Sequence, residues 1–139
     1  MRKKRILIVD DNVTETRLLK FNLENTGAYE VREEYHGREA LITARAFKPD
    51  FIILDVCMPE MSGGDIAARI KSDPQLRSIP VVFLTSVVSK AEAGENTLVS
   101  GEYHFFSKPV NLRKLVLHIE TKVPSEPLAQ NSVPDGATA

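Results

Sequence analysis

The chain has 139 residues with 18 basic and 19 acidic side chains, which gives a net charge of −1 at pH 7. That length suits one domain with an adequate core, and the balanced charge gives no general attraction to nucleic acid. The apolar runs are too short to span a bilayer, and a single cysteine, Cys57, excludes an internal disulfide framework. We therefore expect a soluble, cytoplasmic protein with no membrane insertion and no direct contact with nucleic acid.

Apolar runs of strand length alternate with stretches of helical periodicity, and this alternation is typical of a parallel α/β sheet. The first predicted helix ends near Gly27, which we assign as its C′ residue. The fourth predicted helix contains Gly94, Asn96 and Thr97, which are poor helix formers, so we expect a loose element there. In chain order, the predicted strands are 6–9, 29–33, 51–54, 81–84 and 103–106, and the predicted helices are 13–25, 38–47, 65–72, 91–99 and 112–119.

The two ends of the chain differ in composition from the part between them. Residues 2–5 are all basic, and we interpret them as a solvated lead-in to the first strand rather than as an arm that contacts phosphates. Residues 124–139 have no periodicity and few large apolar side chains, which is typical of disorder. We therefore expect a domain over 1–123 and a disordered tail, or the stub of a linker, over 124–139.

Polar residues follow four of the apolar runs. Asp10 and Asp11 follow the first run, Asp55 the third and Thr85 the fourth, while Lys108 comes shortly after the fifth. Parallel strands bring their carboxyl ends to one edge of a sheet, where the binding sites of open α/β folds lie. Each of these residues could instead cap a helix or close a turn. Their joint occurrence favours a site that binds ions.

Three carboxylates at one edge of a sheet repel one another. At a separation of roughly 4 Å and an effective dielectric constant near 20, each pair of like charges costs on the order of 4 kcal/mol. A divalent cation removes this cost. Mg²⁺ fits because it prefers oxygen ligands and binds through a few carboxylates together with phosphate oxygens. We therefore expect Mg²⁺ as the cofactor.

Four motifs resemble those of a known family. Ile-Leu-Ile-Val-Asp-Asp ends at residue 11, Leu-Asp-Val-Cys-Met-Pro-Glu-Met-Ser-Gly spans 54–63, Phe-Leu-Thr-Ser spans 83–86, and Lys-Pro lies at 108–109. In this order and spacing they resemble the receiver domain of two-component response regulators, over roughly residues 4–122. The resemblance implies a doubly wound, five-stranded parallel sheet in a three-layer αβα arrangement. This is the flavodoxin-like (βα)5 fold of CheY-like proteins.

The resemblance also implies a set of metal ligands. Asp11 and Asp55 would bind Mg²⁺ directly, and Asp10 would act largely through a metal-bound water. The backbone carbonyl of Cys57 would complete the ligands that the protein supplies. Cys57 also stands two residues after Asp55, where its side chain would lie over the site and slow the loss of the phosphoryl group. A redox or thiolate role is disfavoured because a lone cysteine has no companion ligands.

The roles in phosphoryl transfer follow from the same resemblance. Asp55 would be the phosphorylated residue, Lys108 would pair with the phosphoryl group, and the hydroxyl of Thr85 would bind its remaining oxygens. Phe105 would be the aromatic side chain that rearranges together with Thr85 in the switch. The peptide bond between Lys108 and Pro109 would be cis. This set makes the chain a phosphoacceptor rather than an enzyme with turnover.

The implied function is a switch in signal transduction. A sensor histidine kinase or a histidine phosphotransfer protein would phosphorylate Asp55, and the surface of the fourth helix, fifth strand and fifth helix would then change its preference for a downstream protein target. Dimerisation on phosphorylation is left open. A phosphorelay shuttle, which passes the phosphoryl group to another histidine, is the alternative. A phosphatase of the haloacid dehalogenase type is disfavoured, because it needs an Asp where this chain has Cys57.

Three histidines do not enter these interpretations. His36, His104 and His118 lie far apart in sequence and share no spacing typical of metal ligands. We expect surface or packing roles for all three.

Overall fold

The computed structural model of the chain describes residues 2–86, 97–100 and 103–124. Within these ranges, strands and helices alternate along most of the chain, and a short 3₁₀ turn, Gly37–Glu39, precedes the second helix. The strands are β1 Lys4–Val9, β2 Tyr29–Glu34, β3 Phe51–Asp55, β4 Val81–Thr85, β5 Thr97–Ser100 and β6 Tyr103–Ser107. The helices are α1 Val13–Glu24, α2 Ala40–Phe47, α3 Gly63–Ser72 and α4 Leu112–Lys122.

The strands form one sheet in the order β2-β1-β3-β4-β6-β5. In this order, each strand from β2 to β6 is parallel to its neighbour. The five parallel strands predicted from the sequence are therefore confirmed. The strand order reverses beside β1, which lies between β2 and β3. Ligands of open α/β folds bind where the order reverses, outside the carboxyl ends of the strands. The topology therefore places any site beside the ends of β1 and β3.

An additional strand, β5, corrects the predicted helix over 91–99 at residues 97–99. Residues 91–96 lie outside the described residues, but Thr97–Ser100 forms β5, which pairs antiparallel with β6 from Thr97 opposite Phe106 to Ser100 opposite Tyr103. Helical propensity is low in this segment, and Thr and Val favour strands. Only two residues separate β5 from β6 in the sequence, which is a spacing typical of a β-hairpin.

Three helices, α1, α3 and α4, begin at residues whose side chains cap them, whereas α2 has no side-chain cap. The side chain of Asn12 accepts a hydrogen bond from the N–H of Glu15 at the start of α1, and Ser62 and Asn111 cap α3 and α4 in the same way. The end of α1 differs from the prediction. Its C-cap is Asn25, so Gly27, with a φ of +85°, lies one residue beyond the C′ position.

The sheet is covered on both faces, and a hydrophobic core lies on each. Every residue of β3 is buried, which explains why that strand is a continuous apolar run up to its final Asp55. One core, which includes Leu19, Leu23, Leu115 and Ile119, packs against α1 and α4. The other, which includes Ala44, Phe47, Ile66 and Ile70, packs against α2 and α3. The α/β class predicted from the sequence is thus confirmed.

Ion pairs join the first residues of the chain to later elements. The guanidinium of Arg2 lies 2.9 Å from the carboxylate of Asp50, and the ammonium of Lys4 lies 2.6 Å from that of Glu120 in α4. These contacts fit the interpretation of 2–5 as a lead-in to β1. The predicted tail over 124–139 lies, apart from its first residue, outside the described residues. In the described ranges, no helix combines the length and apolar character needed to cross a membrane.

Candidate functional site

The polar residues predicted from the ends of the apolar runs come together at one edge of the sheet. Asp10 directly follows β1, Asp55 ends β3, Thr85 ends β4, and Lys108 directly follows β6. They border a cleft of about 380 Å³. The residues that line this cleft are Asp10, Asp11, Asn12, Glu15, Asp55, Cys57, Thr85, Ser86 and Lys108.

Three carboxylates form an acidic cluster in this cleft. One carboxylate oxygen from each of Asp10, Asp11 and Asp55 lies within 4.8 Å of the other two. Asp10 and Asp55 are buried, whereas Asp11 is exposed. Carboxylate oxygens are the donors that hard cations prefer, so this cluster could hold a metal ion. The side chain of Cys57 is exposed and borders the same cleft.

Lys108 lies among the carboxylates. Its Nζ is 2.9 Å from Oδ2 of Asp10, 3.0 Å from Oε1 of Glu15 and 3.4 Å from Oδ1 of Asp55. Burial by itself would lower the pKa of Lys108, but hydrogen bonds to Asp10 and Glu15 outweigh burial and raise the pKa above its ordinary value. The side chain is therefore a permanent positive charge in the cleft.

The surroundings of Asp55 disfavour the charged form of its carboxylate. Its burial, and then the negative charge of Asp10, raise its pKa from 3.8 to about 6, while Lys108 acts in the opposite direction. The group is nevertheless ionised at neutral pH. A buried carboxylate that stays charged can act as a nucleophile or as a metal ligand, and an added cation would stabilise its charged form.

A close backbone approach fixes the position of Asp55. A Cβ atom at Gly63 would overlap the carbonyl oxygen of Asp55, so only glycine fits there. The N–H of Gly63 donates to the carbonyl oxygen of Val56 at 3.0 Å, and the N–H of Val56 donates to that of Leu84 at 2.9 Å. The backbone directly after Asp55 is therefore held by α3 and β4.

Thr85 and Phe105, the two predicted switch residues, lie in different surroundings. Thr85 is buried at the cleft, and its carbonyl oxygen accepts a hydrogen bond from the N–H of Lys108 at 2.9 Å. The peptide bond between Lys108 and Pro109 is cis, as the resemblance implied. Phe105 does not line the cleft; its half-buried ring stacks on Phe83 at 4.9 Å between centroids.

Two features of the structure were not expected from the sequence. Glu15 reaches Lys108, although an Asn followed three residues later by a Glu, as at Asn12 and Glu15, predicts a capping box instead. His104 and His118 are in edge-to-face contact, with ring centroids 4.4 Å apart. Their separation in sequence gave no signal of this contact, because it depends on the packing of α4 against β6.

Comparisons with known proteins agree with this arrangement. The family model of the response regulator receiver domain matches residues 6–120. The polar-differentiation response regulator DivK of Brucella anthropi is 33% identical over 118 residues, which cover 85% of this chain and 94% of DivK. The chemotaxis response regulator CheY4 of Vibrio cholerae has a structure similar to this chain, with a TM-score of 0.71 at 27% identity, covering 88% of this chain and 100% of CheY4.

A further similar structure comes from a different kind of protein. It is the signal receiver domain of a signal transduction histidine kinase from Syntrophus aciditrophicus. It has a TM-score of 0.69 and 32% identity, and the match covers 98% of both chains. Fold and site together define a domain of two-component signalling. The chain belongs to the response regulator receiver domain family, since the family model spans most of its length.

Proposed function

We propose that the chain is a phosphorylation-controlled switch in which Asp55 accepts a phosphoryl group from a phosphohistidine. The donor would be a sensor histidine kinase or a histidine phosphotransfer protein. One observation carries the proposal: Asp55 is a buried, ionised carboxylate that shares a cleft with the carboxylates of Asp10 and Asp11 and with the ammonium of Lys108. A nucleophile, a possible metal site and a permanent cation are the parts that phosphoryl transfer to a carboxylate needs.

The residues of the chain would act as follows. A carboxylate oxygen of Asp55 attacks the phosphorus atom, and the bond between phosphorus and the donor imidazole nitrogen breaks, with its electron pair passing to that nitrogen. No general base is needed, because Asp55 is already ionised above its pKa of about 6. Lys108, 3.4 Å from Asp55, would bind the phosphoryl oxygens by charge, and the Thr85 hydroxyl would donate to another of them.

We further propose that the cofactor is Mg²⁺. Asp10, Asp11 and Asp55 would hold the ion together with the backbone carbonyl of Cys57. Their oxygen atoms fit a hard cation, and the cluster of three carboxylates needs positive charge. When bound, Mg²⁺ would neutralise negative charge on the transferring group. The residues of the chain bind and orient that group.

The switch would run from Thr85 to Phe105. These residues lie on adjacent strands, and Phe83, two residues before Thr85, is paired in register with Phe105. Because Phe83 and Phe105 are stacked, a shift of β4 at Thr85 would change the packing of Phe105. We propose that the surface of β6 and α4 then changes its preference for a downstream protein target, with dimerisation as one outcome. The fourth helix first expected there is replaced, over 97–100, by β5.

The test of phosphorylation uses phosphoramidate as the donor in the presence of Mg²⁺. The intact wild-type chain should gain one phosphoryl group that hydroxylamine removes, as an acyl phosphate requires. Asp55→Asn should stay unmodified, whereas Asp65→Asn, the same change at an exposed residue of α3, should react like wild type. Modification of Asp55→Asn at the wild-type rate would disprove the assignment of the phosphoacceptor.

The test of the metal site is thermal unfolding with and without Mg²⁺. Mg²⁺ should raise the melting temperature of wild type by a few degrees, because it binds the folded chain and relieves repulsion there. Asp11→Ala should lose most of this shift, while Asp65→Asn keeps it. An equal shift in Asp11→Ala and wild type would show that Asp11 is not a ligand.

The phosphorelay shuttle stays the alternative. Its phosphoacceptor is the same, so it differs only in what happens to the phosphoryl group on Asp55. Mixing the phosphorylated chain with an unphosphorylated histidine phosphotransfer protein separates the two. Rapid transfer to the histidine would favour the shuttle, and slow hydrolysis to inorganic phosphate would favour the switch.

A further inference from the structure

Glu15, which the proposed mechanism does not use, binds the ammonium that the mechanism assigns to the phosphoryl group. Nζ of Lys108 lies 3.0 Å from Oε1 of Glu15, closer than the 3.4 Å that separates it from Oδ1 of Asp55. A lysine ammonium has three protons to donate, and Asp10, Glu15 and Asp55 already surround it. A phosphoryl oxygen that binds Lys108 must therefore displace one of these carboxylates from the ammonium, or share with it one proton of the ammonium.

The start of α1 explains why Glu15 is available for this contact. In a capping box, the carboxylate of Glu15 would accept a hydrogen bond from the N–H of Asn12. Here the N–H of Asn12 donates to Oδ1 of Asp10 at 2.9 Å, and the side chain of Asn12 accepts from the N–H of Glu15 at 2.9 Å. The helix is capped without the Glu15 carboxylate, which contacts Lys108 instead.

Exposure identifies Glu15 as the partner that is most easily displaced. Its side chain is 53% exposed, whereas those of Asp10 and Asp55 are 2% and 9% exposed. Releasing Glu15 from Lys108 leaves its charge in water at little cost, but releasing either aspartate leaves a buried charge without its cation. An incoming phosphoryl group would therefore take the place of Glu15.

We infer that Glu15 is a positioning residue that competes with the phosphoryl group on Asp55 for Lys108 and so lowers the stability of the phosphorylated state. This inference rests on the proposed function, because it requires Asp55 to carry the phosphoryl group. Glu15 would then help to set the fraction of the chain that a given amount of donor phosphorylates. Removing the Glu15 carboxylate leaves Lys108 available and should favour the phosphorylated form.

The test measures the affinity of the chain for beryllofluoride, a mimic of a phosphoryl group bound to a carboxylate, in the presence of Mg²⁺. Glu15→Gln should bind it about two- to five-fold more tightly than wild type, which is the range expected for an exposed ion pair. Glu30→Gln is the matched control, since its side chain is 54% exposed and contacts Arg5 near the opposite end of the strands. It should bind like wild type.

A double-mutant cycle shows whether Glu15 acts through Lys108. In a Lys108→Ala background, measured at beryllofluoride concentrations at which that variant still binds, Glu15→Gln should add no further gain. The same gain with and without Lys108 would mean that Glu15 acts only by its charge, and no gain in the single variant would mean that it does not compete. Either result overturns the inference. If wild type binds no mimic and accepts no phosphoryl group at Asp55, the proposed function itself fails.

Discussion

Asp55 ends a strand whose every residue is buried, and yet it bears a charge at neutral pH. Its pKa is about 6 in the folded chain, compared with 3.8 ordinarily, so the folded state holds this proton more tightly than the unfolded state does. Stability from this group is fully present below about pH 3.8 and is lost as the pH rises through about 6. At neutral pH and without a metal, the ionised carboxylate opposes folding.

A neutral side chain at position 55 should therefore stabilise the chain at neutral pH. We expect Asp55→Asn to melt a few degrees above wild type at pH 8 without divalent cations, because the amide removes the buried charge and its repulsion by Asp10. The difference should shrink towards pH 4, where Asp55 is protonated, and also on addition of Mg²⁺. Melting curves at both pH values measure it, with Asp65→Asn as the control for a surface substitution. A variant less stable than wild type at pH 8 would contradict this account.

At the residue scale, the sequence predicted which side chains meet but not all of their partners. The cluster of Asp10, Asp11 and Asp55 follows from polar residues placed after buried strands, a pattern visible without a structure. The contact between Glu15 and Lys108 could not be predicted, because the local sequence fits a helix cap equally well. The deciding hydrogen bond, from Asn12 to Asp10, depends on the geometry of the loop after β1.

At the scale of elements, the packing of α4 against β6 includes a titratable side chain, that of His118. The His118 ring lies edge-on to His104, and it also contacts Phe51 and Phe106 at 6.0 and 5.5 Å between centroids. Burial, followed by the charges of His104 and Lys122, lowers the pKa of His118 from 6.5 to about 4. The folded chain therefore keeps this ring neutral where the unfolded chain would protonate it.

Acid should weaken the attachment of α4 through this ring. Because the unfolded state binds more protons between about pH 6.5 and 4, the free energy of unfolding should fall as the pH is lowered through that window. His118→Phe keeps a ring in the contact but cannot be protonated, so it should lose less stability between pH 7 and 5 than wild type does. Urea unfolding at both pH values measures this. His36→Gln, at an exposed histidine, should follow wild type; an identical pH dependence for His118→Phe would refute the assignment.

The elements that the sequence predicted well are those with a clear hydrophobic pattern. The four parallel strands other than β2 are apolar runs with a polar residue after them, and their bounds agree with the structure to within two residues. The segment over 91–99 has no such pattern, and its composition favours neither helix nor core strand. Pairing with β6 then decides the conformation of residues 97–100, because the composition of the segment does not select one by itself.

For the whole molecule, both hydrophobic cores can be followed through the described residues, and one of them extends as far as α4. The buried part of α4 ends at Ile119, and Val123 packs at the border of the core. We propose that the folded domain ends near residue 123. Deleting residues 125–139 should leave the melting temperature within about 2 °C of wild type and leave phosphorylation of Asp55 unchanged. A larger drop in melting temperature, measured side by side with the full chain, would show that the deleted segment contributes to the fold.

Among the described residues that line the cleft, the four carboxylates of Asp10, Asp11, Glu15 and Asp55 face one ammonium, that of Lys108. Without a metal, the charges of this described lining sum to −3 around Asp55. Small anionic phosphodonors would approach against this potential, and salt would screen it over about 10 Å at 0.1 M ionic strength. A protein donor that surrounds its phosphohistidine with basic residues would instead be attracted, so its rate of encounter would fall as salt is added. The charge of the cleft would thereby discriminate between cognate proteins and free metabolites before any contact is made.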